Sequence, residues 1–199
     1  MSHSFHAFTD EELVQLFLDG EDEYFQPLFE RYQHRLYKLA YMMLCDESEA
    51  EDAVQDVMLT VFQKLASYKS NASFFTWLYQ ITLNRCRDRI RRNKWRALLF
   101  KRSNGAEDEL PEVSASIPQN PTWEALHQSE INRLIEKYMQ QLHPDHRQII
   151  ILRDIEGFSY EEIAGIMNLT LGAVKSKLFR ARSQLRQKLV PYHKELLYD

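Results

Sequence analysis

Apolar side chains recur along much of the chain at the three- and four-residue intervals typical of α-helices. The longest such stripe lies within residues 21–45, and Pro27 falls in its first turn, where proline is tolerated. A stripe of this kind buries one face of a helix. Residues 9–18, 48–68 and 73–95 are also predicted as helices. We therefore predict a four-helix bundle, whose longest helix buries Phe25, Leu28, Phe29, Tyr32, Leu36, Leu39, Ala40 and Met43.

Capping residues mark where these helices begin. Thr9 or Asp10 begins the first helix. Ser48 and Glu51 stand three residues apart, which is the spacing of a capping box. The sequence therefore predicts that Ser48 caps the third helix.

The middle of the chain has a different composition. Residues 103–121 read SNGAEDELPEVSASIPQNP, with an acidic run, three prolines and little periodicity. This composition predicts a flexible linker. Helices resume at 121–142 and 144–156, the latter with Pro144 near its first position and Gly157 as its stop.

The helical stretches on either side of the linker define the predicted organisation. Only five glycines and six prolines occur in 199 residues, which favours an all-α chain. We place a helical bundle at 9–100, a flexible linker at 101–122 and a second helical domain at 123–190.

Residues 158–189 have the pattern of two short helices joined by a tight turn. Ser159 and Glu162 form a predicted capping box, and Asn168 suits the left-handed conformation of the turn. Thr170 is the predicted cap of the second helix. That helix carries one apolar stripe, formed by Val174, Leu178, Ala181 and Leu185.

The second helix of this pair is basic. Residues 171–189 hold six Lys and Arg residues and no Asp or Glu. A recognition helix inserts into the major groove, where Lys, Ser and Arg donate hydrogen bonds to bases and phosphates. Phe179 could pack on a thymine methyl group or a sugar. The candidate DNA contacts lie off the apolar stripe, and a solvated basic face is the alternative: Lys175, Ser176, Phe179 and Arg180.

Charge is segregated along the chain, although the net charge is only −4. Residues 1–56 hold 14 acidic and three basic residues, whereas residues 85–102 hold nine basic and one acidic. The overall acidity argues against a nonspecific DNA coat, and the basic blocks favour defined nucleic-acid contacts. Cys45 and Cys86 form no CxxC motif, which suits a reduced cytoplasm. We expect no signal peptide and no membrane insertion, because no apolar run approaches about 20 residues.

The stretch 68–92 combines a polar loop, aromatic residues and arginines. Aromatic rings stack on unpaired bases while arginines hold the backbone. A polar loop before a helix could also receive a flipped base. The alternative is that the rings belong to the core of the bundle. Arg85 and Arg92 would share one helix face, and Arg87 and Arg91 another. The loop is Lys69, Ser70 and Asn71, and the rings are Phe74, Phe75, Trp77 and Tyr79.

The third helix carries a polar stripe at i, i+3, i+4 and i+7. Asp52, Gln55 and Asp56 alternate with apolar residues and lead to Leu59. Such a face could dock a basic partner helix. An ordinary solvated helix face is the alternative.

The order of these segments resembles a known family. The acidic helix EDAVQDVMLTVFQKL precedes SFFTWLYQITLNRCRDRIRR, and HPDHRQIIILRDIEGFSYEEIAGIMNLTLGAVKSKLFRARSQL follows the linker. The chain resembles the extracytoplasmic-function sigma factors of bacterial RNA polymerase over about residues 21–100 and 124–189. The resemblance implies a region 2-type four-helix bundle joined by a linker to a region 4-type helix-turn-helix domain.

The resemblance also implies roles for the first domain and the linker. The first domain would bind the clamp helices of the largest polymerase subunit. The linker would thread toward the active-site channel, and residues 69–73 would capture a flipped base of the −10 element. The implied polymerase contacts are Asp52, Gln55 and Asp56, and the implied −10 contacts are Lys69, Ser70, Asn71, Trp77, Asn84, Arg87 and Arg91.

The implied role of the second domain is reading of the −35 element as duplex, together with contact to the flap of the second-largest subunit. The resemblance further implies a cytoplasmic protein without cofactor that an anti-sigma factor, often anchored in the inner membrane, holds inactive. The implied −35 contacts are Thr170, Lys175, Ser176, Phe179 and Arg180.

Two other functions compete with this interpretation. A helix-turn-helix regulator that acts without being a polymerase subunit would bind duplex DNA tightly by itself. An enzyme would need a catalytic constellation, but no P-loop, GxGxxG or GxSxG motif is present. His143 and His146 could form half a metal site, yet Pro144 lies between them and no matching ligands follow. We therefore predict neither catalysis nor a metal site.

Overall fold

The computed structural model describes residues 8–68, 73–104, 134–135 and 137–190, and its regular elements over these ranges are helical. The predicted all-α class is thus confirmed. Chain contacts divide the protein into two units, residues 1–92 and 93–199. From residue 105 onward, the predicted linker lies outside the described residues.

The first unit is built on helices α1 (Asp10–Leu18), α2 (Phe25–Leu44), α3 (Glu47–Lys64) and the long α4 (Phe74–Asn104) as far as residue 92. Short 3₁₀ turns at Asp22–Tyr24 and Leu65–Ser67 precede α2 and follow α3. The apolar stripe predicted for α2 is buried except for Tyr32, which is half-buried. Helix α4 extends past the predicted end near residue 95, so residues 101–104 of the predicted linker are helical instead.

The residues that cap α1 and α3 agree with the predicted helix start in one case and differ from it in the other. Thr9 caps α1, with its hydroxyl accepting from the Glu12 backbone, as predicted. The prediction that Ser48 caps α3 was wrong. Asp46 is the cap, and its Oδ1 accepts from the Glu49 backbone N–H at 2.8 Å. Helix α2 ends at Cys45, whose left-handed backbone (φ 62°) turns the chain early enough for α3 to begin at Glu47.

The second unit contains α5 (Pro144–Ile150), α6 (Tyr160–Met167) and α7 (Leu171–Leu189). The predicted helix at 144–156 does not stay α-helical, because Ile151–Ile155 form a π-helical turn. Gly157 ends this segment with φ +77°, as predicted. Buried apolar side chains from all three helices form the core: Ile149, Ile150, Ile163, Ile166, Met167, Val174, Leu178 and Ala181.

Candidate nucleic-acid and partner interfaces

Helices α6 and α7 form the predicted helix-turn-helix. Ser159 and Glu162 make both bonds of the predicted capping box. Asn168 turns the chain with φ 54°, in the left-handed region, and the Thr170 hydroxyl then accepts from the Ala173 backbone at 3.3 Å. Local side chain to backbone bonds therefore fix where α7 begins.

The side chains predicted to contact DNA lie on the outer surface of α7. Lys175, Ser176 and Arg180 are exposed, and Phe179 is 75% exposed. A large ring so exposed gains little from packing within its own domain, which makes it available to a partner surface. The spacing of these four residues places them over adjoining sectors of the helix within its first three turns.

Three other basic residues of α7 contact their own domain. The Lys177 ammonium lies 2.9 Å from the Asp145 carboxylate, and Lys188 donates to the Gln141 side chain at 2.8 Å. Arg182 donates both Nε and Nη2 to the Asp154 carboxylate. These hydrogen bonds to Asp154 hold the pKa of the Arg182 guanidinium above its ordinary value. The basic residues of α7 left on the outer surface are therefore Lys175, Arg180 and, nearer the end of the helix, Arg186.

Two features of this surface were not predicted from the sequence. Leu171, the first residue of α7, is exposed beside the predicted contacts. The Lys175 ammonium lies 5.8 Å from the centre of the Tyr160 ring on α6, within cation–π range. Tyr160 therefore helps to orient Lys175, although periodicity alone gives no sign of this contact.

One face of α4 carries the residues predicted to line an opened strand. Asn84, Arg87 and Arg91 follow one another at i, i+3 and i+7, so they share that face. Arg87 donates to the Asn84 side chain at 3.2 Å, and Arg91 donates to Asp88 at 2.9 Å. Both bonds join neighbouring turns of the same helix and leave the row facing outward.

The aromatic residues at the start of α4 belong largely to the core. Phe74 and Tyr79 are buried, which confirms the alternative interpretation for these two rings. Trp77 is half-buried and packs 5.3 Å from the Tyr68 ring, centre to centre. Phe75 lies under the Arg35 guanidinium at 4.5 Å.

The polar loop before α4, formed by Lys69, Ser70 and Asn71, lies outside the described residues. The edge that follows it is described. The Ser73 hydroxyl accepts from the Thr76 backbone N–H at 3.2 Å and so caps the first turn of α4.

The polar stripe of α3 divides into an outer part and a bound part. Asp52 has a side chain 61% exposed, and Gln55 is exposed beside it. Leu59, one turn further, is 62% exposed. Asp56 differs, because its carboxylate accepts from Arg89 of α4 at 2.7 Å. The sequence grouped these residues together, and the structure separates Asp56 from the rest.

Arg89 is the centre of an ion-pair cluster that joins α3 to α4. Its Nη1 donates to Glu49 at 2.6 Å and lies 3.7 Å from Asp52, while Nη2 donates to Asp56. Burial alone would lower the pKa of this guanidinium, but the hydrogen bonds to Asp56 and Glu49 hold the pKa above its ordinary value. Arg85 supports the same contact, donating to the Thr60 hydroxyl at 3.3 Å and lying 3.8 Å from Asp56.

The histidine pair has a structural position. His143 caps α5, with its Nδ1 accepting from the Asp145 backbone, and His146 Nδ1 is hydrogen-bonded to Gln184 Oε1 at 2.7 Å. Across the described part of the chain, no cluster of three or more His, Cys, Asp or Glu side chains could hold a metal ion. Among the same residues, no helix has the length and apolar character needed to cross a membrane.

Comparison with protein families gives two matches, in an order that follows the two units. The family described as Sigma-70 region 2 matches residues 28–96. The family described as Sigma-70, region 4 matches residues 132–185. The first match contains α3 and most of α4, and the second contains the helix-turn-helix.

Known proteins are similar to this chain over nearly its full length. The RNA polymerase sigma-H factor of Pseudomonas aeruginosa is 29% identical over 94% of this chain and 96% of its own. The ECF RNA polymerase sigma-E factor of Escherichia coli K12 is 30% identical over 92% and 95%. Among solved structures, the sigma factor RpoE from Bartonella quintana, in complex with the anti-sigma factor NepR, is 25% identical. It matches with a TM-score of 0.64 over 83% of this chain and 96% of that one.

Proposed function

The chain belongs to the extracytoplasmic-function sigma factors of bacterial RNA polymerase, and we propose which of its side chains carry out that function. It is a non-enzymatic initiation factor that binds core polymerase and promoter DNA. A regulator acting without polymerase is not favoured, because the region 2 match covers the whole α3 helix and leads into the outward row of α4.

The −35 element is assigned to the outer surface of α7. Lys175, Ser176 and Arg180 supply donors for base edges and phosphates, and Phe179 supplies an apolar contact. Their exposure and the loss of Lys177 and Arg182 to internal pairs support this choice. Thr170 contributes chiefly by fixing where the helix begins.

The opened strand of the −10 element is assigned to the outward row of α4. Asn84, Arg87 and Arg91 are spaced along about 10 Å of helix, enough to follow a strand over more than one nucleotide. Trp77 adds a half-exposed ring near the loop, and Lys69, Ser70 and Asn71 remain the proposed flipped-base pocket.

Core polymerase is assigned to the outer part of α3. Asp52 and Gln55 present polar groups, and Leu59 gives the surface an apolar centre. We assign Asp56 to the positioning of α4 instead of to direct polymerase contact, because Arg89 already holds its carboxylate.

A protein inhibitor is the proposed regulator. The similar Bartonella quintana sigma factor was solved with the anti-sigma factor NepR. An anti-sigma factor, either free or anchored in the membrane, would act on this chain in the cytoplasm by covering the α3 or α7 surface.

The observation that carries the proposal is the occurrence, in one chain and in family order, of an outward polar face on α3, an outward basic row on α4 and an outward basic α7. Transcription in vitro tests it, using purified core polymerase, genomic promoter fragments and mapping of RNA 5′ ends. We expect new start sites that depend on the chain. Binding to duplex DNA alone, with unchanged start sites, would contradict it.

The same assay tests the assignment of α3. Asp52→Lys should lower chain-dependent transcripts about tenfold or more, because a like charge facing a basic partner costs several kcal/mol. Glu30→Lys makes the same charge change on exposed α2 and should leave the transcripts unchanged. Equal transcripts from both variants would place the polymerase contact elsewhere.

A further inference from the structure

Arg89 lies on the side of α4 that faces α3, nearly opposite to the outward row. Arg87 precedes it by two residues and Arg91 follows it by two, and two residues turn an α-helix by about 200°. Arg89 is 12% exposed, whereas the Arg91 side chain is 72% exposed. One helix therefore carries a largely buried arginine toward α3 and the exposed Arg91 away from it.

The cluster around Arg89 brings like charges together. Glu49, Asp52 and Asp56 stand at i, i+3 and i+7 of α3, so their carboxylates share one side of that helix. Without Arg89 they would repel one another next to a partly buried surface. The guanidinium satisfies two of them in a forked arrangement, which fixes both distance and direction between the partners.

An apolar contact would hold two helices together at lower desolvation cost. Burying an ion pair commonly stabilises no more than well-packed apolar side chains of similar volume do. The Nε of Arg89 is also buried and lacks a hydrogen-bond partner, which adds to that cost. The cluster is thus poorly explained by stability alone, and its directional geometry is what an apolar contact would lack.

We propose that Arg89 is a positioning residue that couples polymerase docking on α3 to strand binding on α4. This rests on the surfaces assigned above. The fork to Glu49 and Asp56 sets the rotation of α4 about its axis relative to α3. With α3 docked on polymerase, that rotation decides whether Asn84, Arg87 and Arg91 meet the opened strand.

Asp52 lies between the α3 surface assigned to polymerase and the cluster around Arg89. Its carboxylate is mostly exposed yet lies 3.7 Å from Arg89 Nη1. A cationic group of the polymerase that binds Asp52 therefore competes with Arg89 and leaves Arg89 to Glu49 and Asp56. Docking then strengthens the fork that orients α4, which gives the coupling a direction.

The test uses the full chain with core polymerase and a duplex promoter. The main variant is Arg89→Met combined with Glu49→Gln and Asp56→Asn, which removes the cluster without leaving a buried unpaired charge. Core affinity is measured by fluorescence anisotropy, promoter opening by permanganate reactivity of unpaired thymines, and stability by thermal unfolding. Arg92→Gln is the matched control, since it removes one arginine from the exposed end of the same helix.

We expect the triple variant to bind core within about threefold of wild type and to open promoters about tenfold less, a size typical of coupling between two sites. Arg89→Lys should lie between, because an ammonium lacks the planar fork. Arg92→Gln should behave as wild type.

Three results would overturn the coupling. Normal opening by the triple variant would show that the fork is dispensable, and a parallel loss of core affinity, opening and unfolding temperature would show a purely structural role. Full promoter opening by the Arg89→Met single variant, once it is bound to core polymerase, would also show that the fork is dispensable. A wild-type chain that fails to open any promoter would instead contradict the proposed function itself, so the two failures are distinguishable.

Discussion

Neighbouring basic residues on α7 have different roles because different groups face them. Lys177 meets Asp145, and Arg182 meets Asp154, so both hold the helix against its own domain. Arg180 lies between them in sequence but points outward, and within the described residues it forms no ion pair. Arg180 therefore remains our proposed DNA contact, because no ion pair within the described residues holds its side chain against its own domain.

Replacement of Arg180 tests this distinction. Arg180→Ala should weaken holoenzyme binding to a −35 duplex by about 1–3 kcal/mol if the side chain reads a base, and should relax preference at one position. Competition binding with single-base substitutions of the −35 element measures both effects. Arg186→Ala, which removes an exposed charge two turns further along, is the control, and equal losses for the two variants would indicate nonspecific phosphate attraction instead.

At the level of elements, signals from nearby residues predicted several helix ends correctly. They predicted none of the contacts between residues far apart in the chain. The Ser159 capping box, the left-handed Asn168 and the Gly157 stop depend on residues within four positions of one another. Arg89 meets partners 33 and 40 residues away, and no spacing rule joins α3 to α4. The π-helical turn at Ile151–Ile155 was also missed, because the apolar pattern of this segment is compatible with an ordinary α-helix.

The error at α3 shows how two local signals compete. Ser48 and Glu51 had the spacing of a capping box, but Asp46 could cap the helix two residues earlier once Cys45 had left the helical conformation. The earlier cap allows an additional part-turn of α3 and is therefore selected. Recognising this needed the left-handed backbone of a cysteine, which sequence rarely signals.

The cap assignment makes a prediction about stability. Asp46→Ala should lower the free energy of unfolding by about 1 kcal/mol, because the Glu49 N–H loses its acceptor. Ser48→Ala should change it by less than about 0.5 kcal/mol, since Ser48 is an exposed residue inside the helix. Urea denaturation of the full chain compares them, and a larger loss for Ser48→Ala would restore the original assignment.

For the whole molecule, the segregated charge has both an internal and an external use. The acidic first quarter and the basic stretch 85–102 partly neutralise each other where Arg89 meets α3. The acidic groups left outside are on α1, on residues 19–23 and on the outer part of α3, and many of the basic ones are on outer α4 and α7. A net charge of −4 therefore describes neither surface.

This charge pattern predicts a basic partner for the acidic surface and an acidic partner for the basic surfaces. Salt should weaken both attractions. Association of the chain with core polymerase should slow as ionic strength increases, because unlike charges steer the encounter and salt screens them. Stopped-flow fluorescence at several salt concentrations measures the association rate. A rate that does not change with salt would mean that apolar contact at Leu59, and not the acidic surface, guides docking.

The buried thiol of Cys86 can report on motions of α4 that the contacts in a single structure do not show. It has no exposed surface, and burial, opposed by the nearby Arg89 charge, raises its pKa to about 12. At neutral pH a thiol-specific dye can therefore reach it only during brief departures of α4 from the bundle. The labelling rate of Cys86 therefore measures how often α4 opens away from the bundle. This rate can be compared before and after polymerase is added.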